Sequence, residues 1–197
     1  MSSLPRILLT NDDGIQATGL ASVKDALSTV ADVTVIAPQL NQSGSSRSNS
    51  RQFDVEKHDE GYAVAGTPVD CVHFGYGYLD KDFDIVVSGC NDAPNIGAHK
   101  IERSGTVGAA IEAGFLGLPG LALSLYDHPD GTRDFSRDDY SEAQKTAKFL
   151  VSQLDRQSIP EAFDYFNVNI PASPPDPPLR ITEPVFHFDI RVDETAN

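Results

Sequence analysis

Short, nearly continuous apolar runs alternate along this chain with longer stretches whose apolar positions recur at helical spacing. A strand buried on both faces reads as an unbroken apolar run, and a helix lying on a sheet reads as a stripe. The alternation therefore predicts an α/β domain with a mainly parallel sheet. The expected strands are Arg6–Thr10 (RILLT), Asp32–Ala37 (DVTVIA), Tyr62–Ala65, Asp84–Ser88 (DIVVS), Leu121–Ser124 and Tyr165–Ile170 (YFNVNI). One helix is expected from Gly19, where Leu20, Val23, Ala26, Leu27 and Val30 fall on one stripe. A second covers Pro68–Tyr78, with Thr67 as N-cap and Pro68 in its first turn. Two more cover about Thr106–Leu116 and Ser141–Leu154.

Polar stretches separate these elements. Gln39–Arg51 is serine-rich with Leu40 its one apolar residue, and a long polar loop inside a compact domain is commonly functional. Gly89–Arg103 is polar and carries glycine; Asp127–Asp139 reads as an acidic, exposed loop. Pro171–Pro178 is dense in proline, which makes an extended connector. The expected organisation is one domain over residues 1–171 followed by a connector and short extension over 172–197, in which Arg180–Val192 adds an edge strand or hairpin.

Composition narrows the chemistry. A formal charge of −14, from 29 acidic against 15 basic residues, leaves no basic stripe to grip a nucleic-acid duplex. It does not exclude a nucleotide substrate, because a metal and a few backbone amides can meet one small anion. Such acidity suits a very salty cytoplasm, where charge repulsion is screened; a protein that is simply acidic is the alternative. No apolar run approaches the ~20 residues of a membrane span, and Met1–Arg6 lacks a signal pattern. Cys71 and Cys90 form no C-x-x-C pair, so a reducing compartment, the cytoplasm, is expected.

Three polar segments, Asn11–Gly14, Asn41–Ser46 and Gly89–Gly97, fall at the carboxyl ends of expected strands. In an open α/β sheet that edge binds ligands. Asp12 and Asp13 stand side by side, and adjacent carboxylates repel unless a cation compensates. A hard divalent ion such as Mg²⁺ or Mn²⁺ takes such oxygens together with neutral ones, which Ser43 and Asn91 can supply. Taken alone, DDG reads as an Asx turn capping the next helix; the convergence of three segments moves the reading toward a cation site. Ser104-Gly105-Thr106 opens a helix whose N-terminus favours an anion, and Ser104 serves equally as an N-cap. The chain has no Walker A loop, G-x-G-x-x-G, G-x-S-x-G or H-E-x-x-H. His99 lies in a candidate loop as a conceivable proton carrier, and Cys90 follows an apolar strand, which favours burial over catalysis.

With these segments in view, the chain resembles the SurE survival-protein family of nucleoside-monophosphate phosphatases. The matching stretches are Ile7–Ile15 (ILLTNDDGI), Val35–Ser46 (VIAPQLNQSGSS), Gly66–Val72 (GTPVDCV), Ile85–Asn91 (IVVSGCN) with Pro94–Gly97 (PNIG), Ser104–Ala113 (SGTVGAAIEA) and Phe166–Pro171 (FNVNIP). They keep the family's order. The resemblance implies a Rossmann-like three-layer α/β fold and hydrolysis of 5′- or 3′-nucleotides, dependent on one divalent metal ion per subunit. It carries the metal ligands onto Asp12, Asp13, Ser43 and Asn91, and the phosphate-side residues onto Asn11, Asn95, Ser104, Gly105 and Thr106. Asp12 or Asp13 is the candidate for assisting proton removal. Two departures stand out: Ala93 replaces a common glycine, and Asp92 adds a negative charge beside the expected metal. The family usually continues past the NVNIP strand with an arm exchanged between subunits. The short tail here leaves a homodimer through other surfaces as the expectation rather than an arm-swapped tetramer.

Two rival readings follow from the same residues. One is a hydrolase with an aspartate as phosphoryl-accepting nucleophile, a class that normally shows D-x-D rather than D-D. The other is a nucleotide-sensing module on the same scaffold, weakened in catalysis by Asp92 and Ala93.

Overall fold

The computed structural model describes residues 4–79, 81–127, 134–154, 164–173 and 176–186. Seven strands run through it: β1 (Arg6–Thr10), β2 (Asp32–Pro38), β3 (Val55–His58), β4 (Gly61–Val64), β5 (Ile85–Asn91), β6 (Gly120–Tyr126) and β7 (Tyr165–Pro171). They form one sheet in the order β3-β4-β2-β1-β5-β6-β7, and only the β3–β4 pair is antiparallel. Five helices flank it: α1 (Thr18–Leu27), α2 (Pro68–Tyr78), α3 (Ala98–Arg103), α4 (Gly105–Phe115) and α5 (Ser141–Gln153), the last preceded by a 3₁₀ turn at Arg137–Tyr140.

Alternation along the central strands divides the core into two layers. Ile7, Leu9, Val35, Val87 and Leu123 join one cluster with Leu20, Val23 and Leu27 of α1 and Leu150 and Val151 of α5. Leu8, Ile36 and Val86 face the other side, against Val72 and Phe74 of α2 and Ala109 and Ala113 of α4. Both faces of β1 and β5 are thus dry, and each fully buried Val, Leu or Ile contributes roughly 1.5–3 kcal/mol of transfer free energy. The expected three-layer, mainly parallel architecture is the one observed.

Topology fixes the place for a ligand. After β1 the chain runs to β2 and β4 on one side, then crosses to β5 on the other side of β1. That reversal opens a crevice at the carboxyl ends of β1 and β5, the usual ligand position in open α/β sheets. Thr10 pairs with Ser88 there, and both strands deliver their next residues into the gap.

Several expectations shift. The first helix stops at Leu27, leaving Val30 38% exposed beyond the stripe. The fourth expected strand continues past Ser88 to Asn91, so Asn91 ends a strand instead of opening a loop. Gly89–Arg103 is not wholly loop: Ala98–Arg103 forms α3. Strand β3 was not expected, because VEKH at a sheet edge buries too little to show an apolar pattern. In the tail, residues 180–186 form no strand or helix, and 187–192 lie outside the described residues, as do 128–133 of the acidic loop.

Candidate active site

The turn after β1 is built by Asn11. Its buried side-chain amide donates to Gly14 O at 3.0 Å, and its Oδ1 accepts from Gly14 N at 3.2 Å. This clamp closes the turn and presents Asp12 and Asp13 in the crevice. Asn11, expected on the phosphate side, spends its amide on holding the carboxylates' backbone.

Asp12 is 3% exposed and faces the start of α4. Its Oδ2 accepts from Thr106 N at 3.1 Å, and its Oδ1 accepts from the Thr106 hydroxyl. Burial raises its carboxyl above the ordinary value, and the Thr106 bonds pull the other way. The helix N-terminus expected to meet a substrate anion is therefore already facing an internal carboxylate, and Thr106 positions Asp12. Gly105 makes this approach possible: a Cβ there would lie 2.9 Å from Asp12 Cβ and 2.6 Å from Ser45 Oγ. Ser104 caps α4 as expected, its Oγ accepting from Val107 N at 3.1 Å.

Asp13 is different. Its carboxylate takes a long 3.4 Å contact from Asn41 Nδ2 on Oδ1 and a weak pull from the backbone N–H of Asp92, while its buried Oδ2 has no well-formed hydrogen bond. Burial, followed by the charges of Asp12 and Asp92, pushes its carboxyl up to about 7. A carboxylate oxygen buried without a donor is costly. A divalent cation is the chemically fitting partner, since it would neutralise both aspartates and coordinate the orphaned oxygen.

The neutral oxygens come from two directions. Asn91, at the end of β5, donates its amide N–H to Ala93 O, so its side-chain oxygen is not spent on that bond. Ser43 is exposed, and its backbone N–H donates to Asn41 Oδ1 at 2.9 Å, so Asn41 links the serine loop to Asp13. Among the described residues, no three His, Cys, Asp or Glu side chains gather as a metal-holding group. The donor set is two carboxylates plus neutral oxygens, which suits a hard ion such as Mg²⁺ rather than a zinc-type site.

Asn95 is the most constrained of the expected phosphate-side residues. Its N–H donates to Asn169 Oδ1 at 2.7 Å, and its carbonyl accepts from Asn167 Nδ2 at 2.8 Å. Its own Nδ2 donates to Ser124 Oγ at 2.9 Å. These three supports were not anticipated. Asn167 and Asn169 stand two apart on β7, and that period-2 polar pair within a strand is the signal that could have found them. Gln42 and Ser46 were also missed. Gln42 N donates to Asp12 O at 2.6 Å, and Ser46 N to Arg103 O at 3.0 Å, strapping the serine loop across the crevice.

His99 takes part in an interaction of its own, and Cys90 is buried with its thiol pushed up by burial, as befits a packing residue. A cavity of about 380 Å³ lined by Gln39, Leu40, Gln42, Val64, Ala65 and Thr67 adjoins the serine loop. A larger one of about 570 Å³, near Arg6 and Lys81, opens at the amino end of β1 and contains none of the candidate residues.

A family model described as survival protein SurE matches residues 7–187. This chain belongs to the SurE family. It is 47% identical over 191 residues to 5′-nucleotidase SurE of Natronomonas pharaonis, spanning 93% of this chain and 74% of that protein. It is 41% identical over 199 residues to 5′-nucleotidase SurE of Haloarcula marismortui, with 98% and 74% covered. The crystal structure of a SurE protein from Aquifex aeolicus is similar with a TM-score of 0.73 and 38% identity, over 85% of this chain and 66% of that one. The haloarchaeal relatives accord with the acidic composition.

Proposed function

We propose that this SurE-family chain is a divalent-metal-dependent phosphatase that releases phosphate from nucleoside 5′-monophosphates, and from 3′-monophosphates as a secondary substrate. The observation that carries the reading is the buried, unpartnered Asp13 oxygen beside Asp12 at the switch point of the sheet. The names of the relatives support it. Asp12, Asp13, Asn91 and Ser43 would hold one Mg²⁺ or Mn²⁺. Such an ion supplies charge neutralisation at the phosphoryl oxygens and a more acidic bound water.

The chain's own residues do the rest. Thr106 and the amide of Gly105 hold Asp12 in place, and Asn11 holds the turn that carries both aspartates. Asn95, fixed by Ser124, Asn167 and Asn169, is assigned to orient the phosphoryl group, with Ser104 shaping the helix entrance behind it. Asp13 is assigned to accept a proton from the attacking water. The cavity beside Gln39 and Gln42 is large enough for part of a nucleoside and combines amides with apolar wall. The two free, buried cysteines fit a cytoplasmic setting, and no described helix is long and apolar enough to cross a membrane.

The test is phosphate release from a panel of nucleoside monophosphates with EDTA, Mg²⁺, Mn²⁺ or Co²⁺, at low and multimolar KCl. Release that requires metal is expected. Tight nucleotide binding without release under every condition would overturn the phosphatase and leave a sensing module.

A further inference from the structure

Asp92 directly follows Asn91 and adds a negative charge beside the candidate cation site, and the fold holds its side chain in place. Tyr140, fully buried at the end of the 3₁₀ turn, donates its hydroxyl to Asp92 Oδ1. Tyr140 itself is held edge-on by Phe135, with ring centroids 6.0 Å apart. It packs against Gly19, where a Cβ would lie 3.0 Å from its ring and 2.1 Å from Cys90 O. Only glycine lets α1 approach the end of β5 this closely, so the Cys90–Asp92 backbone and the Tyr140 ring are fixed by one contact. Asp92 is half-buried and adds its charge to Asp13. Yet Asp12, Asp13 and Asp92 do not gather as a three-carboxylate metal group. Asp92 directly follows Asn91 and its backbone reaches the Asp13 carboxylate, so its charge stands beside the candidate site while its Oδ1 is engaged by Tyr140.

We propose that Asp92, held by Tyr140, is a positioning residue that sets cation affinity through its fixed charge, strengthening the grip of Asp12, Asp13 and Asn91 on a divalent ion. The inference rests on the cation reading of the Asp12–Asp13 site. Physically, a third negative charge behind two ligating ones deepens the potential well for a dication. Groups standing behind metal ligands commonly change affinity 10–100-fold. The same charge opposes an incoming phosphate, so it favours loading the ion before the substrate.

The experiment is Mn²⁺ titration of the full chain by calorimetry, for wild type, Asp92→Asn and Tyr140→Phe, at 0.1 M and 2 M KCl. Asparagine keeps an acceptor for Tyr140, so Asp92→Asn removes the charge and preserves the contact. The expected result at 0.1 M KCl is a Kd raised about tenfold in Asp92→Asn and less in Tyr140→Phe. The gap should narrow at 2 M KCl, because the Debye length falls from about 10 Å at 0.1 M to about 3 Å at 1 M. Equal Kd values at low salt, or a gap indifferent to salt, would overturn the proposal while leaving the cation site standing. Absence of Mn²⁺ binding in wild type would remove both.

Discussion

Two acidic regions flank α4, and the protein treats them in opposite ways. At the far side of the helix, Glu112 sits with the Arg47 guanidinium at 3.2 Å and His73 Nε2 at 2.8 Å. Arg47 also lies over the Phe115 ring, 4.6 Å from its centroid. Burial works to raise the Glu112 carboxyl, but the bonds from His73 and Arg47 outweigh it and hold it below its ordinary value. At the amino end of the same helix, Asp12, Asp13 and Asp92 share one crevice, and burial drives all three carboxyls upward. Thr106 and Tyr140 offer hydroxyls there; no ion pair from Lys or Arg reaches these aspartates among the described residues. Where a carboxylate is structural, the chain provides its own partner. Where the chain withholds one, a bound cation is the partner we propose.

The strongest way to break this contrast is Asp13→Asn. Its loss should reduce metal-dependent phosphate release by more than about 100-fold, beyond the usual effect of groups behind the ligands. Stability should move the other way. A carboxyl raised from 3.8 to about 7 binds its proton more tightly in the folded chain than in the unfolded one. Its contribution to stability is full below the lower value and is lost as pH rises through the upper one. In EDTA, wild type should therefore lose thermal stability relative to Asp13→Asn between about pH 4 and 7. Saturating Mn²⁺ should abolish that loss in wild type alone, since the ion binds the deprotonated form. Parallel pH profiles in EDTA would show that the crevice is not electrostatically strained.

The sequence made much of this legible, for physical reasons that also mark its limits. Strands buried on both faces read as apolar runs, so β1, β2 and β5 were visible; β3, a half-exposed edge, was not. Short α3 buries only Ala98 and leaves no stripe to read. The candidate ligands were legible because polar residues directly after apolar strands stand out. Their supports were not. Thr106 and Asp12 lie 94 positions apart, and nothing local links them. The helix N-terminus was read as an anion site, and the structure shows the chain's own Asp12 facing it. Tyr140 carries no local pattern in the sequence, and its burial follows from packing against α1 and Phe135 in the folded chain.

A smaller effect sharpens the contrast from within the site. Thr106→Val removes the hydroxyl bond to Asp12 and keeps the backbone N–H bond at 3.1 Å. Mn²⁺ affinity should fall about tenfold, in the range typical of groups that orient a ligand. Thr106→Ser should retain most of it. If valine binds Mn²⁺ as tightly as threonine, Asp12 is placed by its backbone and the N–H contact alone.

The smallest expected effect comes from the opposite region. Glu112→Gln exchanges a carboxylate for an amide of the same shape and removes the charge that Arg47 faces. Arg47 is 44% exposed while Glu112 is 16% exposed, so the pair is partly screened and its loss should cost about 1 kcal/mol or less. Phosphate release should be unchanged. Here the sign of the stability change is the informative quantity. Neutralising a compensated carboxylate lowers the thermal midpoint above pH 5, whereas neutralising Asp13 in the metal-free chain does not. A Glu112→Gln variant as stable as wild type would mean that the ion pair only breaks even with solvent, and the contrast would then rest on the strained crevice alone.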